Sequence, residues 1–179
     1  MLLLLRVALA VTAVGTLIWR LCRISTLSLE IASTTSVVAI PYNAAVQKAI
    51  EVLVDESRTW AQVTIVLLGL LGALWLATRD QPQLRITRQL WPEIVTWVAV
   101  VTMLIAGLYC HHEYLDGIST ALETGGVTSK ASVSIPDVFD PKYESMITEQ
   151  FRLLIFGSVA SGLALFNVAQ LAGGRDVQK

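Results

Sequence analysis

Charge is excluded from this chain in four long blocks, and those blocks predict its elements. Residues 59–78 form a twenty-residue run without a charged side chain, closed by Arg58 and Arg79. Leu67, Leu68, Leu70, Leu71, Leu74 and Leu76 crowd its middle. An α-helix needs about 20 apolar residues, at about 1.5 Å each, to cross the hydrocarbon of a bilayer. Residues 153–174 repeat the pattern over twenty-two positions. Residues 94–110 do so between Trp91-Pro92-Glu93 and His111-His112-Glu113, with proline and glutamate suited to a first helical turn. Residues 1–24 are a fourth block, less clean because Arg6 interrupts it and Arg20 and Arg23 end it. An arginine costs about 2.5–3.5 kcal/mol at the centre of a span and less near an end. The basic residue follows the leucines, and Trp19-Arg20-Leu21-Cys22 lacks the small residues of a cleavage site, so the block reads as an uncleaved span.

The fold class predicted is an all-α integral membrane protein, a bundle of four transmembrane helices in one domain over residues 1–179. The spans are placed at about 2–24, 59–78, 92–112 and 152–173. Two long connections (25–58 and 113–151) and one short link (79–91) join them. In the first connection Leu27, Leu29 and Ile31 alternate as in a strand, yet Leu21, Ile24, Ser28, Ile31 and Thr35 also fit a continued helix. Pro41 interrupts either, and Asn43 is placed to cap a new helix. There Val46, Ala49, Ile50, Leu53 and Val54 form an apolar stripe opposite Gln47, Lys48, Glu51, Asp55 and Glu56. That amphipathic helix is expected to run straight into the second span. In the second connection Gly125-Gly126 reads as a turn, 127–135 as a loosely alternating strand, and Asp140-Pro141 as a helix start leading to the fourth span.

Composition agrees with this pattern. Of 179 residues, 54% are hydrophobic and 15% charged, where soluble domains carry about 25%. Mean hydropathy is +0.63. A net charge of −1 offers no footprint for nucleic acid. The short link holds Arg79, Arg85 and Arg88, and the tail adds Arg175 and Lys179. The second long connection holds seven acids, Glu149 among them, against Lys130 and Lys142. The positive-inside rule then sets both termini in the cytoplasm and both long connections outside, with Arg20 and Arg23 in conflict. The compartment expected is a bacterial-type plasma (inner) membrane.

Candidate chemistry is sparse. His111, His112, Glu113 and Asp116 form the densest polar cluster, and imidazole with carboxylate suits zinc, copper or iron. The competing reading is ordinary interfacial polarity, since adjacent histidines point to different faces of a helix. Cys22 and Cys110, each near the outer end of a span, are either a disulfide or two free thiols. No C-x-x-C pair, phosphate loop or nucleophile elbow occurs. Small residues mark helix-packing faces: Gly157, Ser158, Ser161 and Gly162 in the fourth span, Gly69 and Ala73 in the second. Asn167 and Gln170 are expected to bond between helices near the inner end.

The function expected is a non-enzymatic accessory, interaction or scaffold subunit of a membrane assembly. Its partners are the lipid bilayer and another membrane protein or a second copy of the chain, with no cofactor. An oligomeric channel or small-solute transporter is the alternative, and a metal or haem redox protein built on the histidine cluster a second.

Overall fold

In the computed structural model the four apolar blocks fall in four helices, α1 (Leu2–Ser33), α2 (Ala44–Arg79), α3 (Trp91–Thr124) and α4 (Pro141–Asp176). Two three-residue strands, β1 (Ala39–Pro41) and β2 (Ser134–Pro136), sit in the two long connections. The structure describes residues 2–33, 39–41, 43–79, 90–124, 134–136 and 141–176. The expected Gly125-Gly126 turn, the Asp140 cap and the arginines of the short link, Arg85 and Arg88, lie outside those residues.

Each helix is long and apolar enough to cross a membrane. Each is also longer than its apolar block. α1 continues to Ser33, so the residues after Ser25 that also fitted a strand are helical, with Ile24 and Leu27 buried on one face. α2 begins where Asn43 caps it: the Asn43 Oδ1 accepts from the amides of Ala45 and Val46, both at 3.0 Å. From there α2 is one rod of 36 residues. α3 does not stop near His112 as the span boundary implied but runs on to Thr124. Its continuation carries Tyr114 and Ile118 on one buried face, an i, i+4 pair that the mixed polarity around it obscured.

α3 and α4 form the central antiparallel pair. α1 and α2 each pack against both members of that pair and scarcely touch one another, so they occupy opposite grooves. On the α1 side, Ile24 and Leu27 meet Met103, Ala106, Cys110, Met146 and Leu153. On the α2 side, Trp60, Leu67, Leu68 and Leu71 pack on Val100, Leu104, Leu154 and Ala160. A third cluster closes the end where the long connections lie. There Ile50 meets Tyr114, Ile118 and Ile147, with Val46, Leu53 and Val54 packed alongside. The amphipathic stripe of α2 thus buries itself within the chain, against α4 and the continuation of α3. Fully burying each such side chain contributes about 1.5–3 kcal/mol where water is the alternative.

β1 and β2 pair antiparallel, with Ile40 opposite Ile135, and tie the two long connections together. Pro41 and Pro136 stand at the ends of this two-stranded ribbon, where a missing amide donor is tolerated. Of the expected strand at 127–135, residues 134 and 135 lie in β2 together with Pro136, and the remainder falls outside the described residues.

Candidate functional site

Among the described residues, the charged side chains buried inside the bundle gather in two layers. The first joins α1 to the start of α3. Arg6 and Glu93 are both buried, and the guanidinium grips the carboxylate with two bonds, Nε to Oε1 and Nη2 to Oε2, the latter at 2.6 Å. Bidentate pairing of this kind supplies the geometry a buried ion pair needs to offset its desolvation. Arg6, the residue that made the first block look weakest, is thus neutralised by the first-turn glutamate of the third.

The second layer lies about 27 Å further along α3, eighteen residues on at about 1.5 Å each. It draws on all four helices. Ser57 of α2, wholly buried, has its hydroxyl 2.7 Å from His111 Nδ1 and 2.8 Å from Gln150 Oε1. Gln150 Nε2 returns a bond of 3.0 Å to the Ser57 carbonyl. That return bond fixes the amide orientation, so Gln150 Oε1 is an acceptor and the Ser57 proton goes to it. Ser57 must then accept from His111, which assigns the histidine to the tautomer protonated at Nδ1. An imidazole that donates to a serine cannot draw off its proton, so this pair is a positioning bond and not a nucleophile with its base.

Glu149, the residue before Gln150 on α4, is the other half of this layer. Arg20 Nη1 donates to both its oxygens, at 3.0 and 2.8 Å. Arg23 Nε reaches Oε1 at 3.2 Å and Arg152 Nη1 reaches it at 2.9 Å. The Arg20 guanidinium also lies 4.3 Å from the ring centroid of Trp19 and 5.3 Å from that of Phe156, in cation–π range of both. Arg20 and Glu149 are buried, while the Arg23 and Arg152 side chains are 48% and 44% exposed. Glu149 is therefore not one of the free acids of the second connection but an interior anion ringed by cations.

The expected metal cluster does not close on one point. His111 is turned into the bundle toward Ser57, while His112 and Asp116 are exposed on α3. Among the described residues no three His, Cys, Asp or Glu side chains converge to hold a metal ion. Cys22 and Cys110 are both free thiols, the first exposed and the second buried. The reason is helical geometry: Cys110 packs on the face of α1 that carries Ile24 and Leu27, and Cys22 lies about 200° around the helix from Ile24.

The small-residue positions divide. Gly157 is buried, and a Cβ there would stand 3.2 Å from Leu104 Cδ2, so it sets the close approach of α3 and α4. Ala160 and Ala164, on the same face, are buried with it. Ser158 and Ser161 spend their hydroxyls on carbonyls of their own helix, at 2.7 and 2.8 Å. Gly69, Ala73 and Gly162 are exposed, and a Cβ at Gly69 or Gly162 would meet nothing within 4 Å. Asn167 is buried and Gln170 exposed.

Sequence reasoning passed over Glu93, Glu149, Ser57 and Gln150. A usable signal was present for the first two: an arginine held in an apolar helical register calls for a buried acid. No protein-family model, curated protein or solved structure matches this chain.

Proposed function

We propose that the chain is a four-span integral membrane protein acting as a non-enzymatic interaction or scaffold subunit of a membrane assembly. All four helices have the length and apolarity to span. Their outward faces carry large exposed apolar side chains, among them Val11 and Ile18, Val63, Ile65 and Val66, Val98 and Ile105, Val159 and Phe166. Such a surface is costly in water and ordinary in lipid. The interior arginines and glutamates are engaged with one another, and interior hydroxyls such as those of Thr64 and Thr96 bond carbonyls of their own helix at 2.8 Å. Beyond the spans, α2, α3 and α4 continue into a packed three-helix cap.

The observation that carries the interaction role is the outer face of α2. Gly69, Gly72 and Ala73 are exposed there, with open space where a Cβ would stand at either glycine. Within a bilayer, small residues on an unoccupied face are where another helix backbone can approach. Native mass spectrometry after extraction in mild detergent should show an assembly larger than one bundle. Gly69→Leu with Ala73→Leu should shift it toward the single chain. A wild-type protein that flies only as a monomer would overturn the reading.

The orientation proposed has both termini in the cytoplasm of a bacterial-type plasma membrane and the cap outside. The pairing of Arg20 with Glu149 removes one of the two arginines that conflict with it, because a buried, paired arginine does not count among the free charges that decide threading, while Arg23 stays half-exposed beside the same carboxylate. An alkaline phosphatase fused after residue 130 should be active and one fused after residue 85 inactive. The reverse result would invert the topology.

A further inference from the structure

The Glu149 cluster is unbalanced. Three guanidinium groups share one carboxylate, leaving a local charge of two positives among groups that touch the same two oxygens. A carboxylate has about four acceptor positions, and each guanidinium has five N–H donors. Three hydrogen bonds and the Arg23 ion-pair contact already engage Glu149, three of the four on Oε1, and they use a small part of the second number. Arg20 Nε is buried without a hydrogen-bond partner. Among the described residues, Arg23 and Arg152 have no carboxylate within ion-pair distance other than Glu149. Both nevertheless reach the same oxygen, one from α1 and one from α4, and both remain about half exposed. Their free N–H groups thus open side by side at the α1–α4 seam.

The position of the seam says what kind of anion would meet it. Beside the arginine cluster the surface is aromatic: Trp19 and Phe156 are both exposed, and both lie in cation–π range of Arg20. On α4 the exposed apolar face begins at Phe151 and continues through Ile155 and Val159 toward the opposite end. On the other side of the seam lies the cap, where the exposed residues of α2 and α3 include Lys48, Glu51, Asp55, Asp116 and Glu123. The arginines therefore stand at the boundary between an apolar belt and a polar cap. Paired arginines match phosphate oxygens in bidentate geometry, and basic pockets between spanning helices suit anionic head groups.

We infer that Arg23 and Arg152 form a binding site for the phosphate of an anionic phospholipid at the α1–α4 seam, with its acyl chains lying along Trp19 and Phe156. The site rests on the reading of the four helices as membrane spans. Arg20 and Glu149 are its buried floor, and the lipid phosphate supplies the counter-charge that the floor lacks.

The test uses the full chain purified in maltoside detergent. Dioctanoyl phosphatidylglycerol should raise its melting temperature, while dioctanoyl phosphatidylcholine and inorganic phosphate at equal concentration should not. Phosphatidylglycerol should also be retained in native mass spectra. In Arg23→Ala/Arg152→Ala the apparent affinity for phosphatidylglycerol should fall roughly tenfold or more, two surface cations being lost. Arg58→Ala, which removes an exposed arginine of α2, should leave it unchanged. If the double alanine variant does not yield monodisperse protein, Arg23→Gln and Arg152→Gln are read singly, each with a smaller loss expected. Equal responses to phosphatidylglycerol and phosphatidylcholine, an equal response to inorganic phosphate, or undiminished binding in the arginine variants would each overturn the site. A detergent-dependent protein that ignores the lipid would overturn this inference alone. A chain soluble without detergent would overturn the spanning reading as well.

Discussion

Arg20 and Glu149 meet inside the bundle from 129 positions apart, Arg20 Nη1 bonding both carboxylate oxygens at 3.0 and 2.8 Å. Nothing local to either residue dictates the pairing. Its consequence is that removing one partner leaves the other charged and buried. Glu149→Gln should destabilise the fold by about 3–5 kcal/mol, the usual cost of breaking a buried pair. Arg20→Met/Glu149→Leu should be more stable than either single variant, because apolar side chains of similar volume often replace such a pair at little cost. Thermal unfolding in detergent would check both. A double variant as damaged as the two singles combined would mean that the charges are not coupled.

Arg6 and Glu93 stand about 27 Å from that layer along the bundle, so the two pairs should behave independently. A double-mutant cycle on Arg6→Ala and Glu93→Ala should give a coupling energy of about 1–3 kcal/mol. The same cycle between Arg6→Ala and Glu149→Gln should be additive to within about 0.5 kcal/mol.

His111 should carry its proton on Nδ1, as the Ser57–Gln150 bonding requires. Nitrogen-15 spectra of imidazole-labelled protein would read this directly, with Nε2 at the position of an unprotonated nitrogen. Ser57→Ala removes the hydroxyl that both His111 and Gln150 use, and should cost about 1–3 kcal/mol for the polar groups left unpaired. A protonated Nε2 with a bare Nδ1 would reverse the bond directions assigned here.

Glycines that look alike in sequence should respond differently to alanine. At Gly117 a Cβ would lie 2.6 Å from Tyr143 Cε1, so Gly117→Ala must displace that ring and should lower the melting temperature. Gly117→Ala/Tyr143→Ala should relieve the clash and fall below additivity. Gly162→Ala meets open space and should be neutral or stabilising by up to about 1 kcal/mol from helix propensity. Gly157→Ala should be tolerated if the tip of Leu104 gives way, while Gly157→Leu should separate α3 from α4.

Cys22 and Cys110 should separate in a labelling experiment. The exposed Cys22 should react with N-ethylmaleimide in native micelles, and the buried Cys110 only after denaturation. Non-reducing electrophoresis should show no intramolecular bridge in either wild type or Cys22→Ser.

Some of this was legible beforehand because it is a property of single segments. The Asn43 cap and the rod it begins were readable from a side chain that accepts its own helix's amides and from an apolar stripe of period 3.6. The continuation of α3 to Thr124 was not. Its turns beyond His112 carry no long apolar run, and Tyr114 and Ile118 become a buried face only when α2 and α4 are set against them. The candidate site was the least legible part. Glu149 sits among six other acids in sequence, and only the approach of α1 marks it as an interior anion.

By itself, the sequence determined four helices with the length and apolarity to span, the place where α2 begins, and the face of α2 that had to be covered. Those follow from hydrophobicity, periodicity and capping, which act within a few turns of chain. Tertiary structure alone decided that α1 and α2 occupy opposite grooves of the α3–α4 pair, that Arg6 and Arg20 are neutralised in the interior, and that Ser57, His111 and Gln150 form one layer. Charge pairing and close packing depend on which residues come within about 4 Å across helices, and that distance is set by the assembled bundle and not by any stretch of it.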